Sequence, residues 1–276
     1  MDYAFDNRLD FTLFDKLQEQ QHSDPHFHPY SQLVFPRTEG VTVAIGSAPP
    51  FELPADGVLL LSPFVRHQVD VNRPDARWDS LSVNHQRLGP EFFDSHYLAP
   101  IRELMREGQA GLLFTGGTAM HARREFFIIR NRYRMEYLIA ILQILHVLSC
   151  AKEWTPLAAE QEHPVDKRDI QLCLTISEHI RNKLSEPHDI ASAASLVYMS
   201  ESSFSRFFKR FFGKPYHAYL IDKKLEAACH LLYTTRLPIQ EIADRLAFHS
   251  ASHFAMTFKR HKGMTPGEFR NQQLDN

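Results

Sequence analysis

Ser200-Glu-Ser-Ser-Phe204-Ser-Arg-Phe-Phe208-Lys-Arg-Phe-Phe-Gly213 and Ser250-Ala-Ser-His-Phe254-Ala-Met-Thr-Phe258-Lys-Arg-His-Lys-Gly263 are one text written twice, fifty positions apart. An Ile-x3-Ala segment precedes each copy, Ile190…Ala194 and then Ile239…Ala243. Each copy closes on a Gly, followed by a Pro and an aromatic: Pro215…Tyr219, then Pro266…Phe269. Two copies are too few for a solenoid, so the repeat reads as a duplicated helical module.

Working outward, Ile170, Leu174, Ile176, Ile180 and Leu184 have the spacing of a first helix that ends near Ser185-Glu-Pro187. Asp189 is placed to cap a second, short helix ending near Val197. A turn at Tyr198-Met199-Ser200 leads into a third helix, with Ser200 as its cap. Short helix, tight turn and longer helix form the helix-turn-helix arrangement. Phe204, Phe207, Phe208 and Phe211 point the third helix at its own core, leaving Glu201, Ser202, Ser205, Arg206 and Lys209 outward. A long helix from about Tyr216 to Tyr233 joins the copies, with Leu220, Ile221, Leu225, Ala228, Leu231 and Leu232 as its stripe. The second copy predicts helices over Ile239–Leu246 and Ser250–His261 about a turn at Ala247-Phe248-His249. In it Phe254, Phe258 and Ala255 face inward, and Ala251, Ser252, His253, Met256 and Lys259 outward. The second copy has one more residue, His249, between turn and helix.

These residues carry a resemblance to the DNA-binding domain of the AraC/XylS family over about residues 170–270. The matching text is Ser-x3-Phe-x-Arg-x-Phe-Lys-Arg (200–210), Ile-x2-Ile-Ala (239–243), Phe248, His-Phe-x3-Phe-Lys-Arg (253–260) and Gly-x-Thr-Pro-x2-Phe-Arg (263–270). The resemblance implies a regulator that binds double-stranded promoter DNA, with both outward faces entering successive major-groove segments. By motif position Ser202, Ser205 and Arg206 would meet bases in the first module, and Ala251, Ser252, His253 and Met256 in the second. Arg206 is the strongest candidate, because Arg can donate twice to guanine. Met256 stands where Arg is frequent, which weakens polar readout there. Lys209, Arg210, Lys259, Arg260 and Lys262 would meet phosphates, giving salt-dependent affinity without sequence information. RNA polymerase is a further implied partner. Two turn positions that often hold Gly carry Tyr198 and Ala247, and the usual Arg-Leu pair of the linking helix is Lys224-Leu225. A positive φ at either turn residue would cost on the order of 1 kcal/mol.

The first 115 residues have a different texture. Phe11–Leu17, Leu33–Phe35, Val41–Ile45, Val58–Ser62, His67–Val71, Trp78–Val83 and Leu112–Phe114 are short runs rich in β-branched and aromatic residues, punctuated by Pro and Gly. Many short strands predict an antiparallel jelly roll or barrel. Within it lie His26-Phe-His28-x3-Gln32 and His67. Alternation places His26 and His28 on one face, and barrel closure can bring His67 beside them. Here the sequence resembles the cupin barrel, with Gln32 where a carboxylate is usual and His67 ten residues past Gly57. Such an N-terminal barrel is common before this type of DNA-binding domain. Three readings stay open: a mouth where His26, His28, Gln32 and His67 bind a small-molecule effector, a divalent metal at His26, His28 and His67, or packed histidines.

Phe92, Phe93, Leu98, Ile101, Leu104 and Met105 have helical spacing about a break at Pro100. A longer pattern from about His121 to Trp154 has an apolar stripe wider than one buried face needs, so it packs on the barrel alone or also on a second subunit as a homodimer seam. Thr155-Pro-Leu-Ala-Ala-Glu-Gln-Glu-His-Pro164 breaks the period as a linker would. The expected organisation is two-domain: a cupin-like barrel at 1–118 with a helical packing or dimerisation segment at 119–154, a linker at 155–166, and an all-α tandem helix-turn-helix domain at 167–276, its modules joined by the long helix.

Composition bounds the function. Residues 166–276 hold 16 Lys+Arg against 12 Asp+Glu, and residues 1–165 hold 15 against 21, so only the C-terminal part suits a polyanion. No run of about 18 apolar residues could span a bilayer, and the start Met1-Asp-Tyr-Ala-Phe-Asp is unlike a signal peptide. Three separated cysteines, Cys150, Cys173 and Cys229, suit reduced thiols in a cytoplasmic protein. With no phosphate-binding Gly loop, no Ser-His-Asp ordering and no Cys pair at metal spacing, an enzyme is not expected. The alternatives to an effector-responsive regulator are a cupin-type metalloenzyme or metal sensor with a DNA-binding domain, and a regulator whose barrel only dimerises.

Overall fold

The computed structural model describes residues 11–14, 25–83, 94–129, 135–158, 165–186 and 189–272. They form two compact units: one running to Cys173 with Arg210–Gly213, the other Leu174–Lys209 with Lys214 onward.

Among the described residues the first unit has nine strands: β1 (Phe11–Phe14), β2 (Ser31–Pro36), β3 (Val41–Ile45), β4 (Phe51–Leu53), β5 (Val58–Leu61), β6 (His67–Val71), β7 (Trp78–Val83), β8 (Leu112–Phe114) and β9 (Thr155–Pro156). All described pairings are antiparallel, in a six-stranded sheet ordered β1-β7-β2-β5-β8-β9 and a three-stranded sheet ordered β4-β3-β6. Strand β5 shows why both faces of the larger sheet are apolar. Its Val58 and Leu60 join one core with helical residues, whereas Leu59 and Leu61 join a second core with Val43, Ile45 and Val69 of β3 and β6. Side chains alternate with period two along a strand, so a run of four apolar residues fits only a strand covered on both sides. Strand β2 is divided the same way, Leu33 and Phe35 to the helices and Val34 to the second core.

Those helices are α1 (Ala99–Glu107), α2 (Gly116–Ile129) and α3 (Met135–Ser149). Pro100, expected as a break, lies instead in the first turn of α1, where no backbone N–H partner is needed. The single pattern expected from His121 to Trp154 is two helices, with 130–134 outside the described residues. Ala119, Ala122 and Phe126 of α2 and Ile141, Ile144, Leu145 and Leu148 of α3 enter the first core, and Phe126 stacks on Phe35 with centroids 4.0 Å apart. Met120, Phe127, Ile128 and Ile139 stay exposed. Thr155-Pro156, expected to open the linker, form β9 against β8, and Leu157 N–H continues the edge to Gly111 O at 2.9 Å. Residues 159–164 of the expected linker, Phe92-Phe93, and the end of the first strand at 15–17 lie outside the described residues.

The further α-helices among the described residues are α4 (Lys167–Asn182), α5 (Ile190–Leu196), α6 (Glu201–Phe212), α7 (Tyr216–Thr234), α8 (Ile239–Arg245), α9 (Ala251–Lys262) and α10 (Pro266–Gln272). Asp189 caps α5 by accepting from Ser192 N–H, and Ser250 caps α9 by accepting from His253 N–H at 3.1 Å. The duplicated text yields duplicated packing. Phe208 meets Tyr219 edge-on at 5.4 Å, and Phe258 meets Phe269 edge-on at 5.5 Å. Among the described residues no helix is long and apolar enough to cross a membrane.

Candidate nucleic-acid interface and histidine cluster

Helices α5 and α6 are joined by Val197–Ser200, and α8 and α9 by Leu246–Ser250. In both turns the residue after the C-cap has left-handed backbone, Tyr198 at φ 55° and Ala247 at φ 49°. The first turn runs two residues from this kink to Ser200, the second three to Ser250, so the extra residue seen in the text is a real lengthening. The two kinks are supported differently. Tyr198 is 98% exposed. The Ala247 carbonyl accepts from Lys224 Nζ of α7 at 3.0 Å, and that ammonium also lies over the Phe248 ring, 5.6 Å from its centroid. Burial holds the Lys224 ammonium below its ordinary pKa. In the sequence Lys224 stands only as a replacement for the usual Arg of the Arg-Leu pair. The hydrogen bond from α7 to the second turn joins residues 23 apart and has no local signal.

On α6, Ser202, Ser205, Arg206 and Lys209 are exposed along one side, while Phe204, Phe208 and Phe211 are fully buried. Arg210 is exposed too, but its guanidinium pairs with Asp169 of α4 at 3.0 Å. On α9, Ser252, Met256, Lys259 and Arg260 are exposed, Met256 with 69% of its surface in solvent. Ala251 and Lys262 are half-buried. His253, expected outward, is half-buried. Its ring lies 5.9 Å from Phe248 and 5.8 Å from His249, and its Nδ1 is enclosed without a hydrogen-bond partner among the described residues. The longer turn carries Phe248 and His249 to that flank of the helix. Ala255, expected inward, is half-buried, whereas Thr257, which the stripe omitted, is buried. The exposed side of α6 thus offers two hydroxyls and two cations, that of α9 a hydroxyl, a thioether and two cations. The hydroxyls and cations can donate to base edges and phosphates, whereas the thioether offers an apolar contact.

The second candidate site lies in the other unit. His26 and His67 exchange backbone hydrogen bonds, N–H to O at 3.0 Å in both directions. This bridge brings the early segment against the start of β6, and β2 supplies Gln32. His28 and His67 are buried, His26 half-buried. One ligand-capable atom from each of the three rings lies within 4.8 Å of the others. His28 Nδ1 faces Tyr30 O at 2.6 Å and His67 Nδ1 faces Val65 O at 2.9 Å. Both Nε2 atoms converge on Gln32 Oε1, at 2.9 and 3.1 Å. Burial pushes the His28 pKa down, and burial together with the neighbouring His26 and His28 pushes that of His67 well down, so both rings favour the neutral form. The structure therefore brings together all four residues proposed for the barrel, although His26 and His28 lie outside a regular strand.

A family model described as a helix-turn-helix domain matches residues 193–272. The arabinose operon regulatory protein of Salmonella typhimurium is 35% identical over 108 residues, 39% of this chain and 37% of that protein. The chain thus matches little more than a third of that relative's length. A Chromobacterium violaceum transcriptional regulator, described as an AraC-type DNA-binding domain-containing protein, is 27% identical over 37% of this chain and 92% of its own, with a TM-score of 0.36. The DNA-binding domain of AdpA, solved in complex with a target DNA, is 28% identical over 37% of this chain and 90% of its own, with a TM-score of 0.35.

Proposed function

We propose, from the premise that residues 193–272 are a helix-turn-helix domain of the AraC type, that this chain is a non-enzymatic, sequence-specific regulator of transcription that binds promoter DNA through α6 and α9. The observation that carries the reading is the doubled helix-turn-helix text with exposed polar faces inside the family match. In this reading Ser202, Ser205 and Arg206 read bases in one major-groove segment. Ala251, Ser252 and Met256 meet the next, with His253 a supporting residue. Lys209, Lys259, Arg260 and Lys262 neutralise phosphates, and Arg210 does so only by exchanging its Asp169 partner. The first module carries more of the sequence readout, because its face holds Arg206 where the second holds Met256. The N-terminal unit is a cupin-like effector domain at 1–118 with a packing segment at 119–154, and its exposed Met120, Phe127, Ile128 and Ile139 support a homodimer seam. The protein works in the cytoplasm with RNA polymerase as a further partner. Selection from a random duplex library by the full chain tests the reading. An enriched bipartite site is expected; a library that stays unenriched would refute it.

One observation favours a second reading of the barrel as a metal sensor. Backbone carbonyls only accept, so the protons of His28 and His67 sit on Nδ1, and neutral rings then aim two Nε2 lone pairs at the Gln32 oxygen. Rotating the amide would relieve this by turning its NH2 to the rings. A divalent cation would relieve it too, and a histidine that donates its far N–H to a carbonyl is the usual support of a metal ligand. Three imidazoles suit zinc or a similar transition metal without a carboxylate. Equilibrium dialysis against zinc should give about one equivalent bound per chain, lost in His67→Ala. Less than a tenth of an equivalent would leave the organic effector as the reading.

A further inference from the structure

We propose that Asp222 is a positioning residue that fixes the separation of α6 and α9, and thereby the spacing of the two DNA subsites that the chain accepts. The inference rests on the DNA-binding reading and adds a role that neither the repeated text nor the family match assigns. Asp222 lies on α7, the helix between the modules. Its Oδ2 accepts from Lys214 Nζ at 2.5 Å, and its Oδ1 lies 3.6 Å from His261 Nδ1, an ion pair only when that imidazole is protonated. Lys214 belongs to the turn that leaves α6, and His261 to the last turn of α9. One carboxylate therefore faces the exits of both candidate reading helices. Two residues on, Lys224 ties the same helix to the kink before α9. The first turn of α7 is in turn held on α6 by Tyr216 and Tyr219 against Phe208, at 5.1 and 5.4 Å.

These contacts contribute to geometry more than to stability. The Asp222, Lys214 and His261 side chains are all partly exposed, a setting in which an ion pair is worth little to the fold. Two helices entering successive major-groove segments on one side of a duplex must match a repeat of about 10–10.5 base pairs. A tie at the exits of both helices restricts how far their separation can adjust to a longer or shorter spacer. A carboxylate there also repels phosphate, and the two roles predict different outcomes. Pure repulsion predicts that removing the charge strengthens binding at every spacer alike, whereas a tie predicts a flatter dependence on spacer length.

The test uses the full chain and duplexes carrying its selected bipartite site with spacers lengthened or shortened by one base pair. Wild type should lose about tenfold in affinity for a one-base-pair change, the scale of one mismatched pair. Asp222→Asn and Lys214→Gln should both shrink that penalty to about threefold or less. They alter charge in opposite senses, so their mean affinities should move in opposite directions while the spacer profile flattens in both. The inference is overturned if both variants keep the wild-type profile and differ only in overall affinity, or if wild type has no spacer preference. Wild type that selects no sequence at all overturns the DNA-binding reading itself. Far-UV circular dichroism showing unchanged melting of both variants identifies a flattened profile as geometric; a flattened profile confined to a variant that melts early counts against the tie.

Discussion

Tyr198→Gly should stabilise the C-terminal unit, and the size of the gain can be worked from the structure. Tyr198 sits at φ 55°, a left-handed conformation that costs an L residue about 1–2 kcal/mol. Glycine adopts it freely but loses more chain entropy on folding, about 0.5–1 kcal/mol. With 98% of the tyrosine exposed, its removal forfeits almost no buried surface. The net expectation is a gain of about 0.5–1 kcal/mol, which moves a urea midpoint up by about 0.3–0.7 M at an ordinary denaturant slope. The chain has two tryptophans, Trp78 and Trp154, both in the first unit, so tryptophan fluorescence follows that unit. Circular dichroism at 222 nm weights the helices of the second. The dichroism midpoint should rise while the fluorescence midpoint stays. Tyr198→Ala keeps the unfavourable φ and should leave both within about 0.5 kcal/mol of wild type. A loss of stability in Tyr198→Gly, or an equal gain in Tyr198→Ala, would refute the assignment of strain to this turn.

Other outcomes follow from single contacts. Lys224→Met keeps the packed stem but removes the donor to Ala247 O, and should cost about 1–2 kcal/mol in the same dichroism assay. Phe126→Ala removes a fully buried ring stacked on Phe35 and should cost about 3–5 kcal/mol, seen in the fluorescence transition. His28 and His67 have folded pKa values below the ordinary 6.5, so between that value and their folded values the unfolded chain binds more protons. With a chelator present, the first unit should therefore keep its stability above about pH 6.5 and lose it as pH falls, a slope that His67→Gln reduces in a fluorescence-monitored urea series.

What the sequence made legible follows from how local each cause is. Strands β3, β6, β7 and β8 could be bounded by apolar runs between Pro and Gly, because burial on a sheet face is written in the residues themselves. The helices of the repeat were legible from the 3.6-residue spacing of Phe204, Phe208 and Phe211, and the strain at Tyr198 and Ala247 from an L residue where a turn favours Gly. Strand β9 was not, since Thr155-Pro156 pairs only because β8 leaves an edge open, and a proline can sit on an edge. The half-burial of His253 was not legible, because helical periodicity knows nothing of the ring that a longer turn brings beside it. The convergence of His28 and His67 on Gln32 was foreseeable as a grouping, but not the direction of their Nδ1 atoms, which is set by the carbonyls of Tyr30 and Val65. Asp222 and Lys224 had no local signal, because their partners lie in other elements.

The central claim is that the exposed face of α6 reads DNA sequence. It is tested most directly by titrating fluorescent duplexes, the selected site and a scrambled one, with wild type, Arg206→Ala and Lys259→Ala at several salt concentrations. Arg206→Ala should lose about 1–3 kcal/mol on the selected site and discriminate less at one base pair. Lys259→Ala should weaken binding to both duplexes alike and lower the salt slope by about one. Unchanged specific and non-specific affinity in Arg206→Ala would contradict the account.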